Sequence, residues 1–326
     1  MTQTVLLTGI SGFIAKHIAV KLLNAGFAVR GSVRTLARAD EVSTAISPHA
    51  DTSNLSFVAL DLNSDDGWVE AMEGVTALIH TASPFPIEQP KNADDLIRPA
   101  VDGTLRALAS ARAAGVMRVV LTSSTVALTD PLHRGMMDET TWCDPHSAQT
   151  SAYAKSKTLA ETAAWEFATQ QGMYLTAINP GFVMGPPLDA NFGSSISVIA
   201  RLLRGKDPML PNIGFAVVDV RDVARLHVAA MTSPAAAGRR FIAASAEPVS
   251  MEHFAGVLRA AGYSKVPSRK APNVAIKLMS LVDRQAKGML PSLGKKAAFD
   301  NQATFDVLDW KPTPMDTSIT EMAAAL

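Results

Sequence analysis

Thr4-Val5-Leu6-Leu7-Thr8-Gly9-Ile10-Ser11-Gly12-Phe13-Ile14-Ala15 is the stretch from which the fold of this chain is read. An apolar run of strand length passes through two glycines into a helix-patterned stretch ending near Asn24. Glycines at 9 and 12 let the backbone turn and approach a ligand, while the small Ala15 lets the helix lie close on the strand. The amides and dipole at the start of that helix favour a negatively charged group, so the turn suits a dinucleotide pyrophosphate. Thr8, Gly9, Ser11, Gly12, Phe13 and Ile14 are the candidate contacts. Glycine-rich turns also serve structure alone, so the rest of the chain has to support this reading.

It does so through alternation. Further strand-like runs stand at Ala28 to Val33, Ser56 to Leu60, Ala77 to Thr81, Arg118 to Thr122 and Tyr174 to Asn179. Helical patterns lie between them, among them Leu96 to Ala114, where Pro99 should kink or start the helix. Ser151 to Gln171 is the clearest helix, rich in Ala, Lys and Glu and closed by Gly172. Repeated strand and helix units predict an α/β fold, a Rossmann-type doubly wound parallel sheet. After Pro180-Gly181 the regularity weakens. We expect residues 1–180, with return segments near 215–245, to form the nucleotide domain. Residues 181–326 should form a smaller, mainly helical substrate domain.

The 326 residues carry 30 basic and 30 acidic side chains. Charges that cancel give no global field for nucleic acid or an anionic membrane. Cys143 is the one cysteine, which rules out an internal disulfide and any paired-cysteine metal site. No export signal is read at the N-terminus and no apolar run approaches the length of a membrane span. The expectation is a cytoplasmic protein with a small-molecule partner, no nucleic acid and no membrane, a homodimer being an open option.

Which dinucleotide is held depends on the end of the second strand. A site for NAD usually has an acid there, to hold the ribose hydroxyls. Here the stretch reads Arg30-Gly31-Ser32-Val33-Arg34, with Arg38 following and no acid before Asp40. Guanidinium groups pair with a 2′-phosphate that a carboxylate would repel, so NADP(H) is the expected cofactor. The plainer alternative is that Arg34 and Arg38, four apart, solvate a surface turn. Asp61 and Leu62, past the third strand, are candidates near the adenine, though Asp61 is also a common kind of turn residue.

Tyr153 and Lys157 are four apart on the Ser151 to Gln171 helix and project from one face. Ser124 lies just past the carboxyl end of the fifth strand, the end at which open α/β sheets bind ligands. A phenol titrates near ~10 unperturbed, and a neighbouring ammonium lowers that value. Ser124, Tyr153 and Lys157 are therefore the candidate catalytic set for hydride transfer. Tyr153 would give a proton to a carbonyl oxygen, Ser124 would hydrogen-bond that oxygen, and Lys157 would lower the tyrosine pKa and hold the nicotinamide ribose.

These residues resemble the extended short-chain dehydrogenase/reductases, which share Thr-Gly-x-x-Gly-x-x-Ala and Tyr-x-x-x-Lys. Within them the chain is most similar to the dihydroflavonol-reductase-like group, with its cinnamoyl-CoA reductases and fungal aldehyde, ketone and methylglyoxal reductases. The stretches that carry the likeness include His80-Thr81-Ala82-Ser83-Pro84-Phe85, Asp138-Glu139-x-x-Trp142, Ser156-Lys157-x-x-Ala160-Glu161 and Val218-Asp219-Val220-Arg221-Asp222. The resemblance implies NADPH with Arg34 and Arg38 at the 2′-phosphate, and the second serine, Ser124, as the catalytic one. It implies contacts around the nicotinamide from Thr81, Ala82 and Ser83 and from Pro180 to Val183, with Ser195 a further candidate. Flavonoid reductases carry an Asn after the serine pair, and Thr125 to Thr129 has none, so flavonoid specificity does not transfer.

The expected function is NADPH-dependent reduction of aldehydes or ketones, reversible as alcohol oxidation. Two alternatives stand beside it. A sugar-nucleotide epimerase or dehydratase would need a basic cluster, for which Arg201, Arg204, Lys206 and Arg221 are available. A non-catalytic NADP(H)-sensing regulator would tend to lack the Tyr or Lys that this chain keeps. His133, Cys143 and His146 match no common ligand spacing, so no metal is expected. Met136, Met137, Trp142, Phe85 and Phe192 are candidates for an apolar substrate wall or for plain packing.

Overall fold

The computed structural model describes residues 2–84, 92–130, 135–206, 208–281, 290, 293–294 and 297–326. Seven parallel strands form its central sheet: β1 (Thr4–Thr8), β2 (Ala28–Val33), β3 (Leu55–Ala59), β4 (Val75–His80), β5 (Arg118–Thr122), β6 (Tyr174–Pro180) and β7 (Arg239–Ala243). Their order is β7-β6-β5-β4-β1-β2-β3, so the sheet grows outward in both directions from β1. The direction of winding reverses between β1 and β4, which opens a crevice at their carboxyl ends.

Both faces of the sheet are covered, which is why its central strands, such as β1 and β4, are largely apolar rather than alternating with polar residues. Val5 and Leu7 face one core and Leu6 the other. On the first face α1 (Phe13–Asn24) packs against a later helix, Val220–Thr232; on the second, α2 (Asp94–Ala113) packs against α3 (Ala152–Gln171). α2 begins five residues before Pro99 and runs through it. Ser151 caps α3 by accepting from the Ala154 amide at 3.1 Å, and Gly172, at φ +63°, ends it in the left-handed region.

The six strands read from the sequence are present, with β3 and β4 starting one and two residues earlier than expected. The seventh, β7, was not foreseen as a strand. It pairs with β6, and the Val220–Thr232 helix before it lies on the sheet. Beyond Pro180 the chain otherwise forms short pairings. Phe182–Met184 runs parallel to Val217–Asp219, Gly214–Phe215 pairs with Val249–Ser250, and Ala298–Phe299 runs parallel to Met136–Met137. Helices at Ser194–Leu203, Met251–Ala260 and Met315–Ala324 surround these pairings. Among the described residues no helix is long and apolar enough to cross a membrane.

Candidate active site

A cleft of about 510 Å³ opens along the carboxyl edge of the sheet. One end is the glycine turn. Gly9 has φ +67°, and a Cβ there would lie 3.0 Å from the Ala82 Cα, so the position excludes a side chain on two counts. The turn is tied to β2 by Gly9 N donating to Ser32 Oγ at 3.0 Å and Ile10 N to Ser32 O at 3.1 Å. Gly12 starts α1 with no side-chain cap and no acid in the first turn. The first amides of α1 are thereby left open at a place where Gly12, Phe13 and Ile14 line the cleft, which fits a pyrophosphate.

Beside the turn, one hydroxyl organises the end of β4. Thr8 Oγ1 accepts from the amides of Thr81 and Ala82, both at 3.1 Å, and so directs its own proton to His80 Nδ1, 2.9 Å away. Burial, with Lys157 nearby, pushes the His80 pKa down to about 3, and the ring stays neutral. Thr81 and Ser83 line the cleft from the segment that this hydroxyl fixes, whereas Ala82 packs behind Gly9.

The other end holds the catalytic candidates, and all three line the cleft. Ser124 sits between β5 and a single helical turn at Thr125–Ala127, where its Oγ accepts from Val126 N at 3.4 Å. Tyr153 is hydrogen-bonded to Ser124. Lys157, one turn further along α3, is buried and donates from Nζ to the Thr122 carbonyl at 3.4 Å. Burial pushes the Tyr153 phenol up to about 12, the Ser124 hydrogen bond acting in the other direction. The expected net lowering of the phenol is therefore not found: loss of solvation outweighs the favourable groups. Burial likewise lowers Lys157 to about 8, against the raising influence of Glu161.

Pro180, Gly181, Phe182, Val183 and Ser195 complete the wall over this end. A Cβ at Gly181 would fall 2.2 Å from the Ala216 carbonyl oxygen, because here the chain crosses between β6 and the Val217–Asp219 strand. Phe182 stacks on Phe215 at 4.4 Å between centroids, and Ala216, Ala297 and Phe299 join them.

Other candidates stand elsewhere. Arg34 is exposed past the end of β2, and Arg38 pairs with Glu41 at 3.2 Å. The Asp61 carboxylate accepts from the Asn63 amide at 2.8 Å, the turn role that its position allowed. Leu62 is packed on Gly103 of α2, and Ser11 presents its carbonyl to Asn191 Nδ2 at 3.0 Å. Met136, Met137, Trp142 and Phe192 do not line the cleft; Met137 is buried in a small core with Phe299, and Trp142 lies 3.7 Å over the Arg240 guanidinium. Phe85 and His133 fall outside the described residues. Burial pushes the Cys143 thiol up, and its sulfur lies 3.7 Å from Thr150 Oγ1. Of the basic cluster, Arg221 is committed to Asp219 and Glu321, and Arg204 borders a different cavity.

Among the residues not foreseen near the site are Phe215 and Phe299 on its wall and, behind it, Glu161, Asn179 and Arg240, all three buried. The signal for Glu161 was its spacing: it follows Lys157 by four, as Lys157 follows Tyr153.

Residues 5–244 match the family described as the NAD dependent epimerase/dehydratase family. The chain is 34% identical over 250 residues to cinnamoyl-CoA reductase 1 of Arabidopsis thaliana, covering 75% of this chain and 71% of that one. It is 33% identical over 301 residues to tetraketide alpha-pyrone reductase 1 of the same plant, covering 90% of each. A crystal structure of the yeast methylglyoxal/isovaleraldehyde reductase complexed with NADPH superposes with a TM-score of 0.83 at 26% identity, over 99% of this chain and 98% of that one.

Proposed function

The chain belongs to the NAD dependent epimerase/dehydratase family, and from that premise we propose that it is an NADPH-dependent reductase of aldehydes and ketones. The observation that carries the reading is the Ser124–Tyr153 hydrogen bond beside buried Lys157, in the same cleft as the open amides of α1. The reductases to which the chain is similar, and the NADPH in the yeast structure, support it.

In this reading Gly9, Gly12, Phe13 and Ile14 hold the pyrophosphate, and Thr81, Ser83, Pro180, Val183 and Ser195 surround the nicotinamide. When bound, the reduced nicotinamide supplies a hydride to the carbonyl carbon. Tyr153, protonated throughout the neutral range, donates its proton to the carbonyl oxygen as negative charge develops there. Ser124 hydrogen-bonds the same oxygen and holds the phenol in line. The Lys157 ammonium stabilises the tyrosinate left behind and binds the nicotinamide ribose. Arg34 takes the 2′-phosphate; Arg38, already paired with Glu41, contributes less. Residues 1–180 and 215–245 serve the cofactor, and the remainder after 180 shapes the substrate side.

The test is NADPH consumption by the purified protein against a panel of aldehydes, diketones, α-ketoesters and aryl ketones, with NADH in parallel. Substrate-dependent oxidation that prefers NADPH is expected. Tight NADPH binding with no consumption across the panel would overturn the reading.

A further inference from the structure

Beneath the Ser124–Tyr153 pair lies a buried carboxylate with no part in the mechanism so far. Glu161 has no exposed side-chain surface. Its Oε2 accepts from Ser123 Oγ at 2.5 Å and from Asn179 Nδ2 at 2.9 Å. Its Oε1 accepts from Arg240 Nε at 2.6 Å and from Trp165 Nε1 at 3.3 Å. The same Asn179 amide group donates to the Ser124 carbonyl at 3.2 Å. Thr122, Ser123 and Ser124 are thus each gripped: the first at its carbonyl by Lys157, the second at its hydroxyl by Glu161, the third at its carbonyl by Asn179.

Arg240 is buried as well, though not as completely as the group it serves. Its Nη1 donates to the carbonyls of Glu139 at 3.0 Å and Thr141 at 2.7 Å, and Trp142 covers its face. Apolar pairs of similar volume are often as stable as a buried ion pair, or more so, because both charges have to leave water, so such a pair is weak evidence of a stabilising role. An apolar pair, though, could neither receive the Ser123 and Asn179 hydrogen bonds nor place a negative charge near Lys157.

We propose that Glu161 is the positioning residue of this site: clamped by Arg240, it holds Ser123 and, through Asn179, the backbone of Ser124, and its charge keeps Lys157 an ammonium. The role rests on the reductase reading of the cleft. The titratable groups that face Lys157 are Glu161 and Tyr153 from its own helix and His80 from β4. With His80 and Tyr153 both neutral near pH 7, Glu161 is the charge that opposes burial at the lysine.

The experiment compares wild type with Glu161→Gln, which keeps the shape and removes the charge, and with Glu161→Gln/Arg240→Met, which leaves no unpaired arginine. Lys157 is titrated by NMR in protein labelled with 13C at lysine Cε, assigned with Lys157→Arg, and kcat is followed against pH. In both variants the Lys157 midpoint should fall by about one pH unit. At pH 8 kcat should drop about fivefold and at pH 6 return to within about threefold of wild type, with the carbonyl KM changed less than about twofold. A Lys157 midpoint within about 0.3 units of wild type in the folded variants overturns the inference, as does failure of both variants to fold, which would make the pair purely structural. If wild type itself consumes no NADPH, the reductase reading falls, while the lysine titration still decides what Glu161 does.

Discussion

The two ends of the cleft are made in different ways. The end proposed for the phosphates comes from consecutive residues, Gly9 to Ala15, whose conformation follows from glycine and from the start of α1. The end proposed for catalysis draws on β5, β6, β7 and α3 and on a buried ion pair joining residues 79 apart. A site of the first kind depends on backbone freedom at single positions, one of the second kind on side chains that hold each other.

Substitutions at each end should therefore separate binding from chemistry. The largest separation is expected for Tyr153→Phe, which removes the proposed proton donor. Turnover should fall about a thousandfold while NADPH affinity, followed by fluorescence titration, stays within about threefold. Near-normal turnover would remove the distinction between the ends.

Gly9→Ala and Gly181→Ala form a matched pair. The first places a Cβ at φ +67° against the Ala82 backbone and should weaken NADPH binding about ten- to thirtyfold. The second forces the Ala216 carbonyl aside, and overpacking of this kind costs about 1–3 kcal/mol in thermal unfolding. It should lower kcat/KM for the carbonyl more than it lowers NADPH affinity. Equal effects of both variants on both quantities would mean that the cleft behaves as one unit.

A smaller contrast lies in the pH profile. Lys157 is charged below about 8 and loses its proton above it, whereas Tyr153, at about 12, stays protonated over the same range. Turnover should accordingly decline above pH 8, by about tenfold per unit once well past the midpoint. Lys157→Arg, which stays charged, should retain whatever activity it has to pH 10. A decline at the same pH in that variant would assign the limb elsewhere.

The smallest effect belongs to the rim. Arg34→Ala should weaken NADPH about fivefold and leave NADH unchanged, as fits an exposed and screened charge, and Arg38→Ala should do less. Equal losses for both cofactors would deny Arg34 its phosphate.

What could be read from the sequence follows the same division. The strand, turn and helix from Thr4 to Asn24, and the helix from its Ser151 cap to Gly172, depend on neighbours in the chain, and the structure has them close to where the residues predict. The Tyr153 and Lys157 spacing was legible for the same reason. β7 was not, because Arg239-Arg240 reads as polar surface until Glu161 is seen to bury the second arginine. Met136, Met137, Trp142, Phe85 and Phe192 were candidates for the apolar wall or for plain packing; among the described residues Phe215 and Phe299 line it, with Phe182 from the expected Pro180 to Val183 stretch. Which aromatic faces the cleft is decided by short pairings between distant segments, and no local pattern announces those. Asp61 shows a third case, a residue whose two readings, turn and ligand, share one local signature.

The pairing of Met136–Met137 with Ala298–Phe299 also sets an order in time. As the chain is synthesised, the sheet can close once β7 has emerged at Ala243, but the Phe299 wall needs some 56 further residues, the separation of 243 and 299. At about 5–20 residues per second, that is a delay of roughly three to eleven seconds. Through that interval Phe182 and Phe215 stand without the Phe299 side of their wall, and the cleft has its sheet edge before it has its full rim.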